Sequence, residues 1–330
     1  MATTTAADRR PAGVGRAIPL GLAALVVLAL TSIFVGVSAV DPVGLVRGDE
    51  AQLTVLWTAR LPRTVAVVLA GAAMGVTGLV MQALTRNRFV APSTAGTLES
   101  ATFGLLIATV AAPGAPIGVK MAIAAIASLL GTGLFLWLIE RIRFADLVMV
   151  PLVGIMLGGV IMAITTFVAY RWDLLQTLAS WTNADFSATI RGRYELLWLV
   201  AVVCVVAWLY AQRFTIASLG REVSVNLGVD HTRTVLLGLA MVAVVTAVVV
   251  VVIGVIPFLG LVVPNLVTMR HGDRLERVIP LTAIGGAVFL LATDLVSRTI
   301  RHPFEMPVGT VAGVVGGTIF LSMLLRGRDG

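Results

Sequence analysis

The sequence predicts an all-α fold: a polytopic transmembrane bundle of about ten helices. Three observations carry this. Of 330 residues, 58% are hydrophobic and 12% are charged, whereas soluble proteins carry about 25% charge. Mean hydropathy is +1.00, so apolar content is not confined to one core. The apolar residues also fall in successive runs near the ~20 residues a helix needs to cross a bilayer, with short polar stretches between them. Even the valine-rich run at 235–254 reads as helix, because a lone strand leaves its backbone unpaired in lipid.

Residues 1–16 are small, polar and basic, and are expected to form a disordered tail. The run 17–40 exceeds a signal-peptide core and is expected to be an uncleaved first span. A polar loop follows at 41–58, and Arg60-Leu-Pro-Arg63 leads into a second span at 64–84. The third span runs from about Ala95 to just before Pro113, where Pro113–Pro116 turns the chain. Further spans are expected at 117–139, 146–169 and 194–210, with an interfacial loop carrying Trp172 and Trp181 before the last of these. The remaining four are 235–254, 255–269, 278–297 and 308–325. Basic residues are more numerous in the tails and even-numbered loops than in the odd-numbered ones, which favours both termini in the cytoplasm.

One polar segment stands out between spans, at 213–234. Leu219, Val223 and Leu227 recur there at four-residue spacing, with Arg221, Glu222 and Asn226 on other faces. That pattern fits a short amphipathic helix outside the bilayer. Gly220 and Gly228 bracket it and allow the chain to turn. The alternatives are a plain connecting loop and a surface on which a soluble partner pushes.

Several function classes are excluded or weakened. Arginines scattered over short loops make no basic face, so nucleic-acid binding is not expected. A single cysteine, Cys204, rules out an intrachain disulfide. His231, His271 and His302 lie in separate loops without ligand spacing, so no metal site is expected. Lys120, the only lysine, belongs to no phosphate loop, so no nucleotide cofactor binds directly and any ATP-driven work needs a separate ATPase chain. No catalytic set of nucleophile and base emerges. The pairs Gly71/Gly75, Gly154/Gly158 and Gly309/Gly313 read as close-packing devices between helices. Pro257 and Pro264 interrupt the eighth span and mark either a pathway wall or a packed kink. Glu99 and Asp294 are costly near a membrane. They raise a proton-coupled secondary transporter as the alternative function, against a gate contact or, for Asp294, a local ion pair with Arg298 four residues on.

Ordered blocks along the chain resemble one family. Arg60-Leu-Pro-Arg-Thr64 with Gly71–Gln82, Asn87–Pro92, Leu219-Gly220 with Asn226–Val229, Phe258–Pro264, Asp294–Arg298 and Glu305–Gly309 are similar to blocks of the iron-siderophore/cobalamin (FecCD-type) ABC importer permeases. Pro92–Thr97 resembles the subset linked to catecholate siderophores, and Asn265 departs from the histidine usual at that position. The resemblance implies a type II importer fold, with residues 17–330 as one transmembrane permease domain paired with a second permease, a homodimer or paralogous heterodimer. It also implies two ATPase subunits carrying ATP and Mg, an extracytoplasmic substrate-binding lipoprotein, and a ferric siderophore as cargo. Leu219, Gly220, Arg221, Glu222, Val223, Asn226, Leu227 and Gly228 would form the ATPase-coupling helix. Arg60, Arg63 and Arg298 would dock the binding protein, and Pro257, Pro264, Asn265 and Glu99 become pathway or gating candidates.

Overall fold

A computed structural model describes residues 14–36, 47, 49–142, 149–192, 194–301 and 303–326. All ten expected apolar runs contain helix, and no strand occurs among the described residues. Most of the proposed tail, the end of the first span, part of the first loop and the start of the fifth span lie outside the described residues. Val14–Arg16, placed in the tail, instead begin helix α1 (Val14–Phe34).

The first loop is shorter than expected. Asp49 caps α2 (Glu50–Val55), its carboxylate accepting from the Ala51 and Gln52 amides. A π-helical turn, Leu56–Arg60, then joins α2 to α3 (Leu61–Thr85) without a break. The helix therefore runs over 36 residues, from Glu50 to Thr85, and absorbs the Arg60–Arg63 segment that the sequence places in a loop. Next come α4 (Thr97–Ala111), α5 (Ile117–Arg141), α6 (Met149–Arg171) and the short α7 (Leu175–Thr182).

The sixth run is bent. A 3-10 turn leads into α8 (Trp198–Leu209), which meets α9 (Ala211–Ala217) at 62°. After α9 come α10 (Arg221–Asn226) and α11 (His231–Val252). The eighth run starts with a non-helical segment at 254–257 and only then forms α12 (Leu259–His271), of 13 residues. The fold closes with α13 (Leu275–Thr299) and α14 (Val308–Arg326). Among the described residues, 7 helices are long and apolar enough to cross a membrane, and the bent pair makes up to 8. The remaining two runs, α4 and α12, are too short to cross alone at about 1.5 Å per residue.

Helix α3 is the buried axis, packed against α11, α12 and α13. Glycine lets these backbones touch. A Cβ on Gly71 would stand 2.5 Å from the Gly286 carbonyl oxygen, and one on Gly75 would stand 2.9 Å from that of Thr282. A Cβ on Gly78 would collide with the Gly260 carbonyl. That carbonyl is the one Pro264 deprives of its helical donor, since proline has no N–H. The glycine pairs thus pack as expected, Gly154 against the Thr94 backbone and Gly309 against Ala184.

The extended segment before α12 is a packed joint. Val255 N donates to Trp181 O at 3.1 Å, Ala184 N to Val255 O at 3.3 Å and Asp185 N to Ile253 O at 3.2 Å. Neighbouring protein backbone thus satisfies the groups exposed around Pro257, which is how irregular chain persists within a membrane protein.

Candidate functional site

Two polar regions lie at opposite ends of α3 and α13. A helix of 25 residues is about 37 Å long, so the two regions stand a membrane apart.

At the α10 end the chain builds a small rigid projection. Gly220 caps α10 with φ 105°, and Gly228 leaves it with φ 75°, both in the left-handed region that glycine adopts freely. Ser224 fixes the turn from inside: its hydroxyl lies 2.6 Å from Gly220 O, 3.1 Å from Ile216 O and 3.4 Å from His231 Nδ1. Leu219, Val223, Val225 and Leu227 face outward, Leu219 and Leu227 being 58% and 59% exposed. Arg221, Glu222 and Asn226 are exposed among them. The amphipathic segment expected from the sequence is therefore present, with Leu219 just before the helix and Leu227 capping it. Ser224 and Val225 were missed. A lone small polar residue midway between Gly220 and Gly228 is the signal that could have found Ser224. Beside this projection, Arg88 pairs with Asp273 at 3.1 Å, and a groove of about 290 Å³ runs between them and Leu219.

At the other end the three expected docking arginines come together, but not as a free surface. Arg60 and Arg63 lie in the long helix and Arg298 in the last turn of α13; all three are buried. Arg63 donates through Nη2 and Nε to Asp294 Oδ1 at 2.8 and 3.3 Å, and through Nη1 to Glu305 Oε2 at 2.6 Å. Arg298 pairs with Asp294 Oδ2 and donates to Ser32 O and Val35 O, each at 3.0 Å. Arg60 also reaches Val35 O. The cluster is buried because a guanidinium in a low-dielectric setting needs a counter-charge and hydrogen bonds close by. It lines a recess of about 220 Å³ with Ser187 and Thr189.

The expected docking residues Arg60, Arg63 and Arg298 thus lie in a buried cluster and not on the open surface. Their charges are largely spent inside the chain, and only the recess gives access to them. Ser32 and Glu305 were not recognised as part of the cluster. The surplus of arginine over carboxylate near Asp294 was the available hint for Glu305, which sits seven residues after Arg298.

The pathway candidates each make their own contacts within the chain. Asn265 is buried and donates to Arg88 O at 2.7 Å and Leu261 O at 2.8 Å, so it ties α12 to the loop after α3. Pro257 belongs to the packed joint and Pro264 is buried within α12. Glu99, in the first turn of α4, lies over Gly158 of α6, where an added Cβ would come 3.2 Å from Oε2. Asp294 is held by two guanidinium groups, Arg63 and the local ion-pair partner Arg298. No cluster of three or more potential metal ligands occurs among the described residues.

Residues 24–326 match the FecCD transport family. The chain belongs to that family. It is 43% identical over 302 residues to the petrobactin import system permease protein YclN of Bacillus subtilis, covering 92% of this chain and 96% of that one. It is 37% identical over 300 residues to the ferric-anguibactin transport system permease protein FatD of Vibrio anguillarum, covering 91% and 96% respectively. Its fold is similar to a solved metal-chelate type ABC transporter in an inward-facing conformation, with TM-score 0.78 and 21% identity over 95% of this chain and all of that one. As a FecCD member the chain is a multi-pass membrane permease subunit of an ATP-driven importer, not an enzyme. ATP hydrolysis belongs to a separate subunit, and the permease works as a dimer with a substrate-binding partner.

Proposed function

We propose that this chain carries a ferric siderophore of the petrobactin or anguibactin kind across the cytoplasmic membrane, through a cavity shared with a second permease. The observation that carries the proposal is geometric: an exposed apolar turn on rigid supports at one end, and a charged recess at the other. The names of the two relatives supply the substrate class.

In this reading both termini lie in the cytoplasm, as the loop arginines favour. The α10 projection then faces the ATPase. Leu219, Val223 and Leu227 enter its cleft, and Arg221 and Glu222 pair at the rim. ATP binding draws the two ATPases together, displaces α10 and shifts the balance between inward- and outward-facing states. The recess at Arg60, Arg63 and Arg298 faces outward and receives acidic side chains of a substrate-binding lipoprotein. The resemblance to the catecholate subset at Pro92–Thr97 favours a paralogous partner permease over a second copy.

The test is uptake into proteoliposomes holding the permease pair, its ATPase and the binding protein. Iron-loaded petrobactin or anguibactin should accumulate only with ATP, and vitamin B12 should not. Accumulation driven by a proton gradient without ATP would overturn the mechanism, and equal uptake of vitamin B12 would overturn the substrate class.

A further inference from the structure

Among the described residues the recess is lined by three guanidinium groups, Arg60, Arg63 and Arg298, and by the Glu305 carboxylate, with the Asp294 carboxylate fully buried against Arg63 and Arg298. The two carboxylates are not equivalent. Asp294 is fully buried and bridges Arg63 and Arg298, and Arg298 is further locked to the end of α1 through Ser32 and Val35. Glu305 sits at the rim, on the segment between α13 and α14, with its side chain 19% exposed. Its described hydrogen bond is the one Oε2 accepts from Arg63 Nη1. The backbone beneath it is fixed independently, Met306 N donating to Ser297 O at 3.1 Å. Glu305 can therefore swing away without unravelling the segment that carries it.

We infer that Glu305 is an exchangeable internal ligand, occupying the place on Arg63 that a carboxylate of the docking protein takes. This rests on the docking role proposed above and adds the step that role requires. An incoming Asp or Glu enters the recess, accepts the bond from Arg63 Nη1, and Glu305 turns to solvent. Asp294 stays in place as the permanent counter-ion. Docking is thus weakened by self-occupancy, and the returning Glu305 helps to eject the spent binding protein.

The test measures equilibrium docking of the soluble binding protein to the intact permease–ATPase complex in nanodiscs. Glu305→Gln should bind about two- to fivefold tighter than the unaltered complex, the value of one partly exposed ion pair. In an Arg63→Gln background the Glu305 substitution should have no effect, because the two act on one contact. Unchanged or weaker docking by a well-folded Glu305→Gln complex overturns the inference. A second measurement needs no variant: carbodiimide labelling of Glu305, read by mass spectrometry, should rise when the binding protein docks, and labelling that stays flat or falls refutes the exchange. If the unaltered complex binds no binding protein at all, the docking role itself fails and takes the exchange with it. Normal docking with an inert Glu305 defeats the exchange alone.

Discussion

Asp294→Asn is the sharpest test of the ion cluster, because it removes a charge while keeping the shape. In the native chain one carboxylate serves two arginines: Oδ1 accepts from Arg63 at 2.8 and 3.3 Å, and Oδ2 accepts from Arg298. Arg63 keeps Glu305 after the substitution, but Arg298 keeps only neutral partners, Ser32 and Val35. Removing one partner of a buried pair costs about 3–5 kcal/mol, mostly from the stranded charge. At about 2 °C per kcal/mol, the lower end for larger domains, the melting midpoint should fall by about 6–10 °C. Glu305→Gln deletes one contact at a partly exposed rim and should cost about 1 kcal/mol or less. The assay is tryptophan-monitored thermal unfolding of the detergent-purified protein, with both variants measured side by side. Equal shifts for the two variants, or an Asp294→Asn midpoint within a degree of the native one, would refute the reasoning. The same variant bears on proton coupling: a proton-carrying Asp294 would change the pH profile of uptake when replaced by asparagine, whereas a structural counter-ion would lower the amount of folded protein at every pH.

Gly78→Ala should destabilise the protein by about 1–3 kcal/mol or more, because the obstacle is the Gly260 backbone carbonyl, whereas Gly159→Ala, whose added Cβ would meet nothing within 4 Å, should be neutral or stabilising in the same melting assay. Leu219→Ser and Leu227→Ser should each weaken ATPase binding by about 1–2 kcal/mol, the transfer value of a half-buried leucine, without moving the melting midpoint of the isolated permease; co-purification at graded detergent-complex concentrations reads this directly. Asn265→Ala deletes the tie between α12 and Arg88 O, and should lower the midpoint through a loss of about 1–3 kcal/mol while leaving binding-protein docking intact.

Much of the fold was legible because membrane insertion imposes a length and a composition that the sequence states directly. The α10 projection was legible for the same reason: a polar island between apolar runs, bracketed by Gly220 and Gly228, has few conformations open to it. The failures share a cause as well. Arg60 and Arg63 look like loop residues since charge normally ends a span, yet a π-helical turn carries the helix through them and counter-charges from α13 and beyond make burial tolerable. The pairing of Arg63 with Glu305 spans 242 positions, and no periodicity reports such a contact. Gly71 was read as a packing glycine, but that its partner would be Gly286 depends on how α3 and α13 lie against each other. The tie that Asn265 makes to Arg88 O spans 177 positions, and it too was beyond the reach of any local pattern.

The distribution of tight contacts constrains how a push at one end is felt at the other. Helix α10 packs on α9 and α11, and α9 packs in turn on α3, α11 and α13. Helices α3 and α13 also carry Arg63, Asp294 and Arg298 at their far ends. Between the two ends, Gly71 and Gly286 set backbone against backbone, and neither helix can slide without driving a carbonyl into a neighbouring Cα. Interiors this dense transmit displacement instead of absorbing it. Helices α3 and α13 therefore move as one body, with α1 attached through the Ser32–Arg298 contacts. Helices α5 and α6, which bury far fewer residues within this chain than α3, lie outside that glycine-locked block. A displacement of α10 by an ATPase would thus rotate the glycine-locked block against α4, α5 and α6. Glu99 over Gly158 stands inside that second group, at the α4–α6 contact, so it would be carried with those helices and not with the block that bears the ion cluster.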